Sequence, residues 1–84
     1  MTTSNQNLQQ INFPSILKLN FTDASMEVFL DDGRILSIPL AWYHSLANAT
    51  RQQLDNHEIS PGGYGVHWPG LDEDLSVKGF LLPQ

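Results

Sequence analysis

The 84-residue sequence contains no cysteine, few basic residues and no long apolar run. Without thiols the chain forms no disulfides, zinc–thiolate sites or cysteine nucleophiles, and its composition fits a reducing compartment. Nucleic-acid binding depends on clustered Lys and Arg contacts to phosphates. The basic residues here are scattered: Lys18, Arg34, Arg51 and Lys78. No apolar stretch approaches the ~20 residues that span a bilayer. We therefore expect neither direct nucleic-acid binding nor membrane insertion.

Nine acidic residues give the chain a formal charge of −5, and 40% of its residues are hydrophobic. A chain this short forms one domain at most and buries only about 60–65% of its unfolded surface. Residues 1–13 are polar and predict a flexible tail before a single domain over 14–84. The tail has neither the basic residues nor the apolar segment of a secretory signal, so we expect a cytoplasmic protein.

Residues 16–38 predict a three-stranded antiparallel meander. Alternation along 16–22 places three apolar side chains on one face: Leu17, Leu19 and Phe21. The strongest turn signal is Asp31-Asp32-Gly33, where glycine can take a positive φ. A three-residue loop there keeps apolar side chains opposite apolar ones. The predicted pairs are Met26 with Ile38, Val28 with Leu36, and Glu27 with Ser37.

The second half of the chain alternates short helical and extended segments. Pro39 ends the sheet, and helices are predicted over 41–48 and 51–55, the second beginning with a Thr50–Gln53 capping box. Residues 57–60 and 64–68 predict a hairpin with Ile59 and Val66 inward, and 71–82 one or two helical turns capped by Ser76. The predicted class is α+β: a small antiparallel sheet, made of the meander plus this second hairpin, packed with two or three short helices.

The acidic triplet Asp72-Glu73-Asp74 invites three interpretations. As a metal loop it lacks the alternating carboxylates, central glycine and distal glutamate of an EF-hand. Consecutive acids more often stabilise the amino terminus of a helix or form a solvated face. We favour that interpretation, with partner binding second and metal binding third.

No motif in the sequence specifies a reaction. The histidines, His44, His57 and His67, show none of the spacings that place two ligands on one face. No serine lies in a nucleophile elbow, and Gly62-Gly63-Tyr64-Gly65 is better explained as a tight hairpin than as a phosphate loop. We predict no catalytic residue, metal or cofactor, and keep His67 as the histidine of interest because it adjoins Trp68 and the acidic triplet.

The two tryptophans, Trp42 and Trp68, either cover the edges of a thin core or, for Trp68, anchor a binding surface. We favour the core. The candidate partner-binding residues are Tyr64, His67, Trp68, Asp72, Glu73 and Asp74.

Several short motifs of residues 16–82 together form a specific pattern: Asp32-Gly33-Arg34, Pro39-Leu40, Trp42-Tyr43, Leu46, Ala49, Tyr64-Gly65, His67-Trp68-Pro69 and Leu71-Asp72-Glu73-Asp74-Leu75. In these residues the chain resembles the bacterial domain of unknown function 2442 family. This chain departs from the family pattern at Ala41, where the family usually has a small polar residue suited to capping a helix. The resemblance implies a small α+β domain with no established activity. Some members are encoded beside a second small protein, which suggests antitoxin-like pairing.

These observations favour a non-enzymatic interaction module, an antitoxin-like acidic partner of another small, basic protein. One alternative is a metal-assisted or acid–base enzyme using His67 with Asp72 and Asp74. Another is a structural homodimer that pairs exposed sheet edges.

Overall fold

A computed structural model describes residues 13–82, which form two three-stranded antiparallel sheets and three short α-helices. Sheet A contains β1 (Ile16–Phe21), β2 (Ser25–Leu30) and β3 (Ile35–Pro39). Sheet B contains β4 (Glu58–Ile59), β5 (Gly65–Trp68) and β6 (Glu73–Ser76). The helices are α1 (His44–Ala47), α2 (Arg51–Asp55) and α3 (Val77–Leu81), with 3-10 turns at Leu40–Trp42 and Pro61–Gly63. The predicted α+β class is confirmed. Residues 1–12 of the predicted tail lie outside the described residues.

The meander has the predicted register. Its pairs include Met26 with Ile38, Val28 with Leu36, and Glu27 with Ser37. The turn between β2 and β3 closes because Gly33 takes a φ of 95° and its N–H donates to the carbonyl of Leu30 at 3.1 Å. Asp32 accepts bonds from the backbone N–H and the Nε of Arg34 at 3.0 and 2.8 Å. The backbone bond is the main cause that lowers the pKa of Asp32.

The prediction that Leu17 faces the core is wrong. Ile16 and Phe21 are buried, whereas the side chain of Leu17 is 63% exposed. The register of β1 against β2 shifts between Ile16 and Lys18, so Leu17 is the extra residue of a β-bulge. Alternation cannot hold across a bulge, and the inward face therefore changes from even to odd positions at this point.

The predicted helix over 41–48 is divided in two. Its first part is the 3-10 turn at Leu40–Trp42, and its second part is α1. Tyr43 separates them with extended dihedrals of −125° and 109°, and its partly buried ring packs against the core. The helix at 51–55 is confirmed together with its capping box. Thr50 Oγ1 accepts from the N–H of Gln53 at 3.1 Å, and Gln53 Oε1 accepts from the N–H of Thr50 at 2.8 Å.

The second hairpin is confirmed, with Ile59 opposite Val66, but it has a third strand that the sequence analysis missed. Residues 73–76 form β6 instead of a helical turn, and only α3 is helical, with Ser76 Oγ accepting from the N–H of Gly79 at 3.0 Å. Asp72 takes a left-handed φ of 53° immediately before the strand. Pairing with β5 therefore decides the conformation of the acidic triplet, and its predicted role as a helix cap is wrong.

A single core joins both sheets and α2. Its fully buried large side chains are Trp68, Met26, Leu46, Val28 and Val77. The indole Nε1 of Trp68 donates to the carbonyl of Leu54 at 3.0 Å, which satisfies the one polar atom of the ring. Phe21 and His57 lie at the edges of the same ring, with centroids 6.5 and 6.1 Å away. Across residues 13–82, no helix has the length and apolar character needed to cross a membrane.

Candidate functional site

The outward face of sheet B carries a line of polar side chains. Val66 and Trp68 point into the core, so His67 between them points to the other face. The strand register pairs His67 with Glu58 on β4 and with Asp74 on β6. Glu58, His67 and Asp74, which we term the acidic row, therefore lie side by side across three strands.

The closest contact in the acidic row joins His67 and Asp74. His67 Nδ1 lies 2.6 Å from Asp74 Oδ1, and the two side chains are 39% and 76% exposed. At this exposure the pair stabilises the fold by about 0–1 kcal/mol at most. Its main effect is to orient the imidazole, since a carboxylate held at Nδ1 leaves Nε2 as the ring nitrogen available to another molecule.

A shallow groove of about 230 Å³ begins at the acidic row. It is lined by Tyr43, Asp74, Leu75, Ser76, Gly79 and Phe80. Burial and the nearby carboxylate of Glu73 raise the pKa of Tyr43, so its hydroxyl stays neutral at physiological pH. The groove therefore offers aromatic walls with a carboxylate at one end, an arrangement suited to an aliphatic chain that ends in a positive charge.

Glu73 lies on the opposite face of β6 from Asp74. It pairs with Trp68 across the strands, and its Oε1 accepts a hydrogen bond from the hydroxyl of Ser45 at the start of α1. Glu73 is half-buried, so its carboxylate ties sheet B to α1. Of the acidic triplet, Asp72 and Asp74 are the exposed members.

Two further predicted site residues lie apart. The side chain of Tyr64 is 67% exposed just before β5, whereas Asp72 lies beyond the far end of that strand. At about 3.3 Å per residue, the four-residue strand keeps them more than ~10 Å apart. Trp68 has no exposed surface, which confirms the core interpretation and removes it from any contact surface. Of the six candidates, His67 and Asp74 contact each other on the outward face, whereas Glu73 and Trp68 pair on the opposite face.

Glu58 was missed by the sequence analysis. Part of the signal was available, because a hairpin with Ile59 and Val66 inward turns Glu58 and His67 to the other face. The structure adds the register that places these two residues opposite each other. The favoured interpretation that Trp42 covers the edge of the core is wrong, because its side chain is 64% exposed. Among residues 13–82, no three His, Cys, Asp or Glu side chains are placed to hold a metal ion.

Comparison with known proteins gives a family and two similar structures. The family described as "Protein of unknown function (DUF2442)" matches residues 16–83. A crystal structure of a protein of unknown function from Rhodospirillum rubrum is 36% identical with a TM-score of 0.70, over 81% of this chain and 84% of that one. A solution structure of an uncharacterised protein from Chromobacterium violaceum is 24% identical with a TM-score of 0.68, over 95% and 72%. No curated protein matches the chain.

Proposed function

The chain belongs to the DUF2442 family of proteins of unknown function, and we propose that it is a non-enzymatic interaction module for another small protein. The proposed partner is basic, because the chain carries a formal charge of −5 and opposite potentials guide association. The proposal extends to an antitoxin-like role in the cytoplasm, which the family resemblance suggested. The absence of cysteine supports that compartment.

The observation that carries the proposal is the acidic row together with the groove that shares Asp74. A lysine or arginine of the partner would place its positive group at Asp74 and lay its aliphatic stem along the groove that Tyr43 and Phe80 line. Glu58, two strands away, adds to the negative potential of the row. Strand pairing fixes the backbone of both carboxylates, and His67 restrains the side chain of Asp74, so part of the ordering cost of binding is already met.

The proposed contact surface extends from this centre in two directions. Tyr64 contributes a large exposed aromatic side chain at one end, and tyrosine is enriched among the residues that dominate binding energy. Asp72 contributes an exposed carboxylate at the other end. On the opposite face of the sheet, Glu73 bonds to Ser45 and Trp68 bonds to Leu54, and these bonds fix the strands that carry the surface.

Removing the carboxylates of the acidic row is expected to weaken partner binding. The double variant Glu58→Gln and Asp74→Asn keeps the shape of the surface and should lower affinity by about tenfold or more, equivalent to about 1.4 kcal/mol. The measurement is calorimetric titration with the product of the neighbouring gene at about 50 mM salt, where screening is weak.

Asp23→Asn is the matched control, since Asp23 is an exposed carboxylate at the turn between β1 and β2. The control should bind like the wild type, and binding by all forms should weaken as salt rises to about 0.5 M. No complex with that protein, or an equal loss in the control, would contradict the proposed surface.

The 2.6 Å contact between His67 and Asp74 favours a second candidate function, acid–base catalysis. In this candidate His67 accepts a proton at Nε2 and Asp74 orients the ring, whereas Asp72 stands apart on its turn. For the metal-assisted version of this candidate, residues 13–82 contain no cluster of three ligand side chains.

A panel of ester, amide and phosphoester substrates tests the acid–base candidate. His67→Gln should lower kcat/KM about 100-fold or more, and Asp74→Asn should reduce it less, because only the histidine transfers the proton. An activity that survives His67→Gln unchanged would exclude the histidine as the base.

A further inference from the structure

The outer edge of β3 presents backbone groups with which no other strand of residues 13–82 pairs. The N–H of Leu30 donates to the carbonyl of Arg34 at 2.9 Å, and the N–H of Leu40 donates to that of Ala24 at 3.0 Å. These two bonds set the phase of the β2–β3 ladder. In that phase the N–H and C=O groups of Ile35 and Ser37 point away from β2.

The other sheet edges in residues 13–82 are blocked. The backbone of Ile16 in β1 lies against Gly63, where an added Cβ would sit 2.9 Å from the Ile16 oxygen. Strand β4 has only two residues, and β6 carries Glu73 and Asp74, which repel a like-charged strand. Edge protection of this kind is missing from β3.

The side chains on and beside β3 suit a second copy of the chain. Ile35 is 56% exposed and pairs with Phe29 on β2, which places two apolar side chains next to the open edge. Residues 35–39 carry no charge. Two copies that each carry −5 repel one another, so a neutral strand is where they can meet with their carboxylates kept apart.

We propose that the chain forms a symmetric dimer by antiparallel pairing of its β3 edges, which joins two copies of sheet A into one six-stranded sheet. In this dimer Leu36 lies on the two-fold axis, opposite Leu36 of the second copy. Ile35 of each copy then pairs with Ser37 of the other, and both residues exchange their N–H and C=O bonds. The ladder ends at Pro39, which has no N–H to donate.

Charge and size set the strength of this dimer. A five-residue strand pair falls in the weak class of interfaces below ~1,200 Å², so the dissociation constant should be on the order of 10–100 μM. Screening reduces the repulsion between the two acidic copies. Salt should therefore strengthen this dimer, whereas it weakens binding to a basic partner, and the two associations can be told apart.

Light scattering on the full chain at about 0.5 mM, well above the expected dissociation constant, tests the proposal. At these dissociation constants about 75–90% of the chains are dimeric, so the wild type should have an average mass of about 1.7–1.9 times the 9.4 kDa chain mass. Ile35→Lys places a charge against the second copy, and Ser37→Pro removes an outward N–H without removing a bond to β2. Both variants should run as monomers. Leu17→Lys is the matched control, because Leu17 is equally exposed but lies on β1, and it should remain a dimer.

Circular dichroism confirms that each variant is folded, and Ile35→Lys alone suffices if Ser37→Pro fails to fold. A monomeric wild type at this concentration overturns the proposal. So does a dimer that persists in folded Ile35→Lys, or one that Leu17→Lys dissociates as readily. The outcome does not depend on the acidic row, because no second protein is present.

Discussion

Replacing Trp68 with alanine is expected to remove a large share of the domain's folding stability. Truncation of a buried tryptophan costs about 3–5 kcal/mol, because the transfer energy of the ring is lost and a cavity remains. Domains of this size have about 4–13 kcal/mol of stability in total. The change should therefore lower the midpoint of thermal unfolding by roughly 15–30 °C.

The structural reason is the position of the indole between both sheets and α2. Its ring is fully buried, contacts Phe21 from sheet A, and donates its Nε1 hydrogen to the carbonyl of Leu54 in α2. Alanine removes both contacts. The Leu54 carbonyl then keeps one side-chain partner, Nδ1 of His57 at 2.9 Å.

Trp42→Ala is the matched control for this experiment. Its side chain is 64% exposed, so its removal should change the free energy of unfolding by less than about 1 kcal/mol. Trp68→Phe keeps most of the apolar volume and isolates the hydrogen bond to Leu54. Urea titration of the three variants gives the comparison, and equal stability of the Trp42 and Trp68 alanine variants would contradict the assigned core.

This burial also changes how the binding surface should be tested. Loss of partner binding in Trp68→Ala would report unfolding, not the loss of a contact. The variants Glu58→Gln and Asp74→Asn avoid that ambiguity, because both positions are exposed and each substitution leaves the side-chain volume nearly unchanged.

Features that depend on neighbours in sequence were predicted correctly. The register of β2 with β3 followed from a three-residue turn with Gly33 at positive φ, and the starts of α2 and α3 followed from the side chains of Thr50 and Ser76. In each case a hydrogen bond or a dihedral within a few residues decides the structure.

Features that depend on distant pairing were not predicted. Nothing within 16–22 distinguishes a bulge at Leu17 from regular alternation, because the bulge exists only relative to β2. Likewise Asp72-Glu73-Asp74 has low strand propensity, and pairing of β6 with β5 outweighs it. The halved helix near Tyr43 has the same cause, since packing of its ring against the core favours an extended residue there.

The candidate site was predictable in part. The chain neighbours His67 and Trp68 were expected to share one surface, yet adjacent strand residues face opposite sides of a sheet. The same alternation separates Glu73 from Asp74 once 73–76 is a strand. The sequence did indicate that Ile59 and Val66 point inward, which turns Glu58 and His67 outward. Their opposition follows from the register that the structure shows.

Gly63→Ala is expected to destabilise the protein by about 2–4 kcal/mol. Gly63 has a φ of 73°, a conformation that costs other residues about 1–2 kcal/mol. An added Cβ would also lie 2.8 Å from the Cβ of Ser15 and 2.9 and 3.0 Å from the backbone oxygen and nitrogen of Ile16. Backbone atoms cannot rotate away, so the variant must separate the Pro61–Gly63 turn from β1 and lengthen the 2.7 Å bond from Ser15 Oγ to the Gly62 carbonyl.

Two other glycines divide this effect into its parts. Gly33 has a φ of 95° with open space around its Cβ position, so Gly33→Ala should cost only the dihedral strain, about 1–2 kcal/mol. Gly70 has neither a positive φ nor a neighbour within 4 Å, so Gly70→Ala should be nearly neutral. In thermal and urea unfolding, the loss of stability should therefore be largest for Gly63→Ala, smaller for Gly33→Ala and smallest for Gly70→Ala. An order in which Gly33→Ala is the most harmful would mean that the turn does not pack against β1 as closely as the distances show.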